Sequence, residues 1–267
     1  MRRLTSGLKV VSLNSQLAFM RRYSGLLRVL PVLTVTAAAC LVGCAKAITT
    51  SSSAALVQLD VIGRGRAEVE AFFGSAFLSG FDLHIFPHRT DLDRFAHDRW
   101  GMASTECWMV AMGSGSGLVL LDPSVWSTEA CEHDGNDAKH VHQIVTHELV
   151  HVFHGQHCPN HEFDGMDEVG WFIEGLAYFA AGQLDEEGVA RAGKAAKRGL
   201  PHSLATAWSG ESRYVLSASL VAYLDRTRGR ATLLSLLTAT NARELLERLG
   251  TTEDRLLAEW RADLGRG

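Results

Sequence analysis

Lys139-His140-Val141-His142-Gln143-Ile144-Val145-Thr146-His147-Glu148-Leu149-Val150-His151-Val152-Phe153-His154 contains neither proline nor glycine. Its apolar Ile144, Val145, Leu149, Val150 and Val152 recur at helical rather than alternating spacing. Asn136 or Asp137 can cap the start of such a helix and Gly155 can end it. Residues four apart share a helix face, so His147 and His151 can grip one Zn²⁺ at about 2.0–2.1 Å each. Glu148 then lies beside the cation rather than on it, placed to take a proton from an activated water. A purely amphipathic helix has no packing reason to set a carboxylate between the two histidines. His140 and His154 project from about the same face. A tetrahedral ion has no room for them, so they are expected behind the ligands or toward solvent.

A catalytic zinc usually keeps three protein ligands and one open position. Trp171-Phe172-Ile173-Glu174-Gly175-Leu176-Ala177-Tyr178-Phe179 reads as a second, mostly buried helix with one carboxylate. Leaving Glu174 unpaired among Trp, Phe, Ile and Leu would cost several kcal/mol, which a cation would offset. The rival third ligand is His157. The run from His147 to His157 resembles the longer metzincin signature, but it has His154 where the backbone must turn on a glycine, and Gly155 comes one residue late. Met166 stands too close to serve as the methionine turn of that family. The balance favours Glu174.

The two helices together resemble the gluzincin metallopeptidases, the thermolysin- and aminopeptidase-like clan of zinc proteases. There the second helix often reads Trp-x-x-Glu-Gly-x-Ala-x-Tyr or Phe, and Trp171, Glu174, Gly175, Ala177 and Phe179 match in order. The resemblance covers residues about 138 to 182. It implies one zinc ion on His147, His151 and Glu174, with Glu148 as general base. It also implies a thermolysin-like architecture, in which a sheet before the zinc helix lends an edge strand to the substrate backbone. Gly117-Leu118-Val119-Leu120-Leu121 is the candidate for that strand, with a plain buried strand as the equal alternative. The thermolysin branch has an Asp four residues after the ligand Glu to orient a histidine; this chain has Tyr178, so no partner for His147 or His151 is assigned.

Residues 1 to 43 carry Arg2, Arg3, Lys9, Arg21, Arg22 and Arg28, no acidic residue, and a mostly apolar run from Val29 to Gly43. This is an export signal. Leu41-Val42-Gly43-Cys44 resembles a bacterial lipobox, which implies a lipid on Cys44 and a protein held outside the cytoplasmic membrane. Plain secretion or an uncleaved anchor are the alternatives, and Met20 is a second possible start. Residues 44 to 58, rich in Ala, Ser and Thr, read as a flexible tether. Of the 26 basic residues, the six before residue 44 leave 20 against 30 acidic ones, a net of −10 for the body. That balance argues against nucleic acid and against electrostatic binding to anionic lipid.

Of the remaining cysteines, Cys107–Cys131 would tie a strand to the loop before the zinc helix, and Cys131–Cys158 would bracket that helix. The first is preferred, and the sequence leaves both open. Residues 59 to 267 read as one α+β domain: a small mixed or antiparallel sheet part with the zinc helix (59–155), then a mostly helical part (156–267). Within it, Arg64 to Phe77 and Asp91 to Asp98 read as helices, and Asp82–Phe86 as a strand. Glu106 to Met112 and Gly117 to Asp122 read as strands joined at Gly113–Ser116. Helices are expected over 186–198, 213–226, 230–237, 242–249 and 253–264, the last capped by Thr251.

The expected activity is zinc-dependent hydrolysis of a peptide or protein substrate, with Tyr214 or His202 as oxyanion donor. A metzincin-like protease using His157 and a non-catalytic zinc-binding lipoprotein are the alternatives.

Overall fold

The computed structural model describes residues 53–266. The export signal, Cys44 and the tether up to residue 52 lie outside the described residues. The rest of the expected tether is helical: α1 spans Ser53–Phe73, beginning earlier and ending sooner than its apolar pattern predicts. Val69 and Phe73 are buried on α1, and the Phe73 ring stacks on Phe153 of the histidine-rich helix with centroids 4.4 Å apart.

Three strands form one mixed sheet in the order β1-β3-β2. β1 (Asp82–Phe86) runs parallel to β3 (Gly117–Leu121), joined through α2 (Arg89–Trp100). β2 (Ala111–Ser114) pairs antiparallel with β3, Ser114 facing Gly117. β3 is therefore the central strand, with Leu118 to Leu121 buried. Both its edges are already paired, so it cannot be the strand that pairs with a substrate. β2 is the edge strand beside the histidine-rich helix.

β2 is also shorter than the sequence suggests and shifted toward the turn. Residues 106–109 are held outside the sheet by Arg89, whose guanidinium donates to the carbonyls of Glu106, Cys107 and Met109. Cys107 is joined to Cys131 by a disulfide, and Cys158 is a buried free thiol.

The helix that carries His147 and His151, α4, spans Ala138–His157. Asp137 caps it, accepting from Lys139 N and His140 N at 3.1 Å each. Gly155 does not end it. A Cβ there would lie 2.4 Å from Gly115 N, and one on Gly113 would lie 2.2 Å from Glu148 O. These glycines let the β2–β3 hairpin sit directly on the helix backbone.

A short α3 (Trp126–Glu129) precedes α4, and α5 (Gly170–Ala180) packs against it. Then follow α6 (Glu186–Lys197), α7 (Leu204–Ala207), α8 (Arg213–Arg228), α9 (Arg230–Leu236), α10 (Ala242–Leu249) and α11 (Glu253–Leu264). α8 is the hub, packed on α5, α6, α9 and α11. Thr252, not Thr251, caps α11, accepting from Arg255 N. The architecture is α+β, with one continuous apolar core running from Val61 to Trp260. No described helix is long and apolar enough to cross a membrane.

Candidate metal centre

α4 and α5 cross so that His147, His151 and Glu174 meet. Gly175, next to Glu174, lets α5 lie directly on α8: a Cβ there would be 2.5 Å from Ser217 O. His147 Nε2 and His151 Nε2 are 3.1 Å apart, and Glu174 Oε2 lies 3.4 Å from the first and 3.5 Å from the second. Donors held about 2.0–2.1 Å from one centre at tetrahedral angles stand about 3.3–3.4 Å from each other, so this triangle has the dimensions of a tetrahedral site. Two imidazoles and a carboxylate, buried or nearly so, are a donor set that suits Zn²⁺.

His133 Nδ1 and His140 Nε2 are 2.8 Å apart with ring centroids 5.1 Å apart, so the nitrogens face each other along one line, as in a hydrogen bond. In the His147–His151 pair the nitrogens are farther apart, yet the centroids are closer, at 4.8 Å. Those nitrogens converge on a third point. His133 Nε2 lies 2.9 Å from Trp108 O, which completes the other chain.

His147 is oriented by Gln183, whose Oε1 lies 2.8 Å from His147 Nδ1 and fixes that nitrogen as the donor. Gln183 fills the role left open by Tyr178. It comes from the turn after α5, where no periodicity points to it. His151 Nδ1 is enclosed and has no hydrogen-bond partner. His154 is only 1 % exposed, packed against Phe163 and Phe172, and burial drops its pKa to about 3. It is a neutral core residue behind the site, not a solvent-facing one. His157 is not brought to the site; its Nδ1 donates to Phe153 O at 2.8 Å in the last turn of α4.

No protein-family model, curated protein or solved structure matches the chain.

His147, His151, Glu174 and Glu148 open onto a cleft of about 620 Å³. β2, Tyr178, Arg213 and Tyr214 are part of its lining. Burial pushes the Glu148 carboxyl up to about 7, against the pull of the His147 ring and the Gly113 backbone. Burial opposes the charge on Glu174 too, but there the His151 and His147 rings outweigh it and hold that carboxyl well below the usual range. Tyr214 stacks on Tyr178 at 5.4 Å and meets the His147 ring at 6.5 Å. Burial, with Glu174 nearby, raises its pKa and keeps the hydroxyl protonated. His202, the other expected oxyanion donor, is exposed and does not line the cleft.

Proposed function

We propose that this protein is a zinc-dependent peptidase of the gluzincin kind, exported and held outside the cytoplasmic membrane by a lipid on Cys44. The observation that carries the reading is the buried triangle of His147, His151 and Glu174 with Glu148 beside it in an open cleft. A zinc ion bound there would supply Lewis acidity, polarising a carbonyl oxygen and making a water acidic.

The chain's own groups would do the rest. Glu148 takes the proton of the attacking water as its oxygen bonds to the carbonyl carbon, then gives that proton to the leaving nitrogen as the C–N bond breaks. The Tyr214 hydroxyl donates to the developing oxyanion, a contact of the type often worth ~3 kcal/mol. The free edge of β2 offers backbone donors and acceptors to an extended substrate. Gln183 holds the His147 ring in register. The Cys107–Cys131 disulfide suits an oxidising compartment outside the cytoplasm.

The test is a screen of the purified, zinc-loaded protein against a peptide library, with and without chelator. Chelator-sensitive cleavage is expected. Glu148→Gln is expected to lower kcat by roughly 10²–10⁴-fold with its zinc content unchanged. A wild type that holds zinc and cleaves nothing would instead favour a zinc-binding lipoprotein.

A further inference from the structure

Arg213 is the one Lys or Arg among the residues that line the cleft, where the other charged side chains are Glu132, Glu148, Glu162 and Glu174. Its guanidinium is held in place by rings rather than by charge: Cζ stands 4.9 Å from the centroid of Tyr214 and 5.6 Å from that of Trp208. Among the described residues no carboxylate forms an ion pair with it, whereas arginines elsewhere in the fold, such as Arg226, Arg228 and Arg230, are paired. Its hydrogen bonds are to neutral groups: Nη1 reaches Gly210 O at 3.4 Å, the side chain also donates to the Tyr214 hydroxyl, and Nε is enclosed without a partner. A partly buried guanidinium without a counter-charge is costly unless something else supplies one. The Tyr214 ring links it to the histidines, with its centroid 6.5 Å from that of His147 and 4.9 Å from the Arg213 Cζ.

We propose that Arg213 is an anchor for a substrate carboxylate, making the protein selective for peptides that present one within a residue or two of the scissile bond. The inference rests on the peptidase reading for its substrate class, but not for the anion site itself. The planar fork of the guanidinium matches a carboxylate with two parallel N–H···O bonds. Successive Cα atoms lie about 3.8 Å apart, so a group one or two residues from the reacting carbonyl spans the width of the Tyr214 ring. An anion entering a cleft otherwise lined by four carboxylates has no other side-chain cation to meet. Two sources share this chemistry: a free C-terminal carboxylate, and an Asp or Glu side chain.

The experiment compares three N-acetylated peptides of one core sequence on the zinc-loaded protein: a free acid, its C-terminal amide, and an amide with Glu in the last position. Wild type is expected to favour a carboxylate-bearing peptide over the neutral amide by roughly 10- to 100-fold in kcat/KM, the range of a hydrogen bond to a charged group. Preference for the free acid alone assigns the C-terminus, and preference shared by the Glu amide assigns the side chain. Arg213→Gln is expected to erase the preference and Arg213→Lys to keep part of it, with zinc content and Tm as checks on folding. Equal cleavage of all three by wild type, or a preference that survives in Arg213→Gln, would overturn the proposal. If nothing is cleaved, the peptidase reading falls and titration calorimetry with the same peptides decides the anchor. Tighter binding of a carboxylate-bearing peptide that Arg213→Gln abolishes supports it, and equal binding of acid and amide refutes it.

Discussion

Each of the three donors owes its position to a different local cause. His147 and His151 need only the helical repeat, so the sequence alone places them on one face. Glu174 needs a second helix to pack on the first, and the sequence hint is indirect: a lone carboxylate in an apolar run, followed by the glycine that lets α5 lie against Ser217 of α8. Gln183 was illegible, because a turn residue nine positions past Glu174 reaches His147 only once α5 has packed. The same holds for Arg213, whose lack of a charged partner is a property of the folded cleft and not of its neighbours in sequence. For His154 the sequence leaves two positions open, behind the ligands or toward solvent, and only the fold shows it buried on the core side. Gln183 yields a prediction at this scale. Gln183→Ala is expected to weaken zinc binding by roughly 10- to 100-fold, since the ring it steadies loses its acceptor. Competition with a fluorescent chelator measures this, and unchanged affinity would mean that Gln183 merely packs there.

At the scale of elements, the decisive contact is between the β2–β3 hairpin and α4. Gly113 abuts the Glu148 carbonyl, and Gly115 and Gly155 abut each other. This explains two departures from the pattern read in the sequence. Gly155, which looks like a stop signal, lies inside the helix because the hairpin leaves no space for a side chain. Gly113 and Ser114, which look like turn residues, are strand because the strand must pass that close. β3 is open to two readings in the sequence for a related reason. Five apolar residues in a row fit either a buried strand or a docking edge, and only the sheet order β1-β3-β2 decides. Gly155→Ala is expected to cost about 1–3 kcal/mol through overpacking, read as a lower denaturation midpoint. Because the displaced hairpin carries the proposed substrate edge, KM should rise more than zinc affinity falls. An unchanged Tm would show that the hairpin gives way freely.

For the whole molecule, the α+β class and most helix positions were legible, since periodic apolar faces and the glycines at 229 and 250 mark them. The loop from Cys107 to Cys131 was not, because its course depends on the disulfide and on Arg89, neither of which imposes a periodicity. That bond closes 24 residues of chain around the cleft wall formed by Trp108 and β2. Its reduction is expected to lower stability by about 3 kcal/mol, seen as a shift of the urea midpoint between reduced and oxidised protein. Coincident curves would mean that the wall is held by Arg89 alone. The proposed activity presupposes one cation held between α4 and α5, and metal content measured on the purified chain tests that most directly. After dialysis against zinc and then buffer, native mass spectrometry should find one zinc per chain in the wild type and in His157→Ala, and none in Glu174→Ala. A wild type without zinc, or a Glu174→Ala variant that keeps its zinc while His157→Ala loses it, would contradict the account.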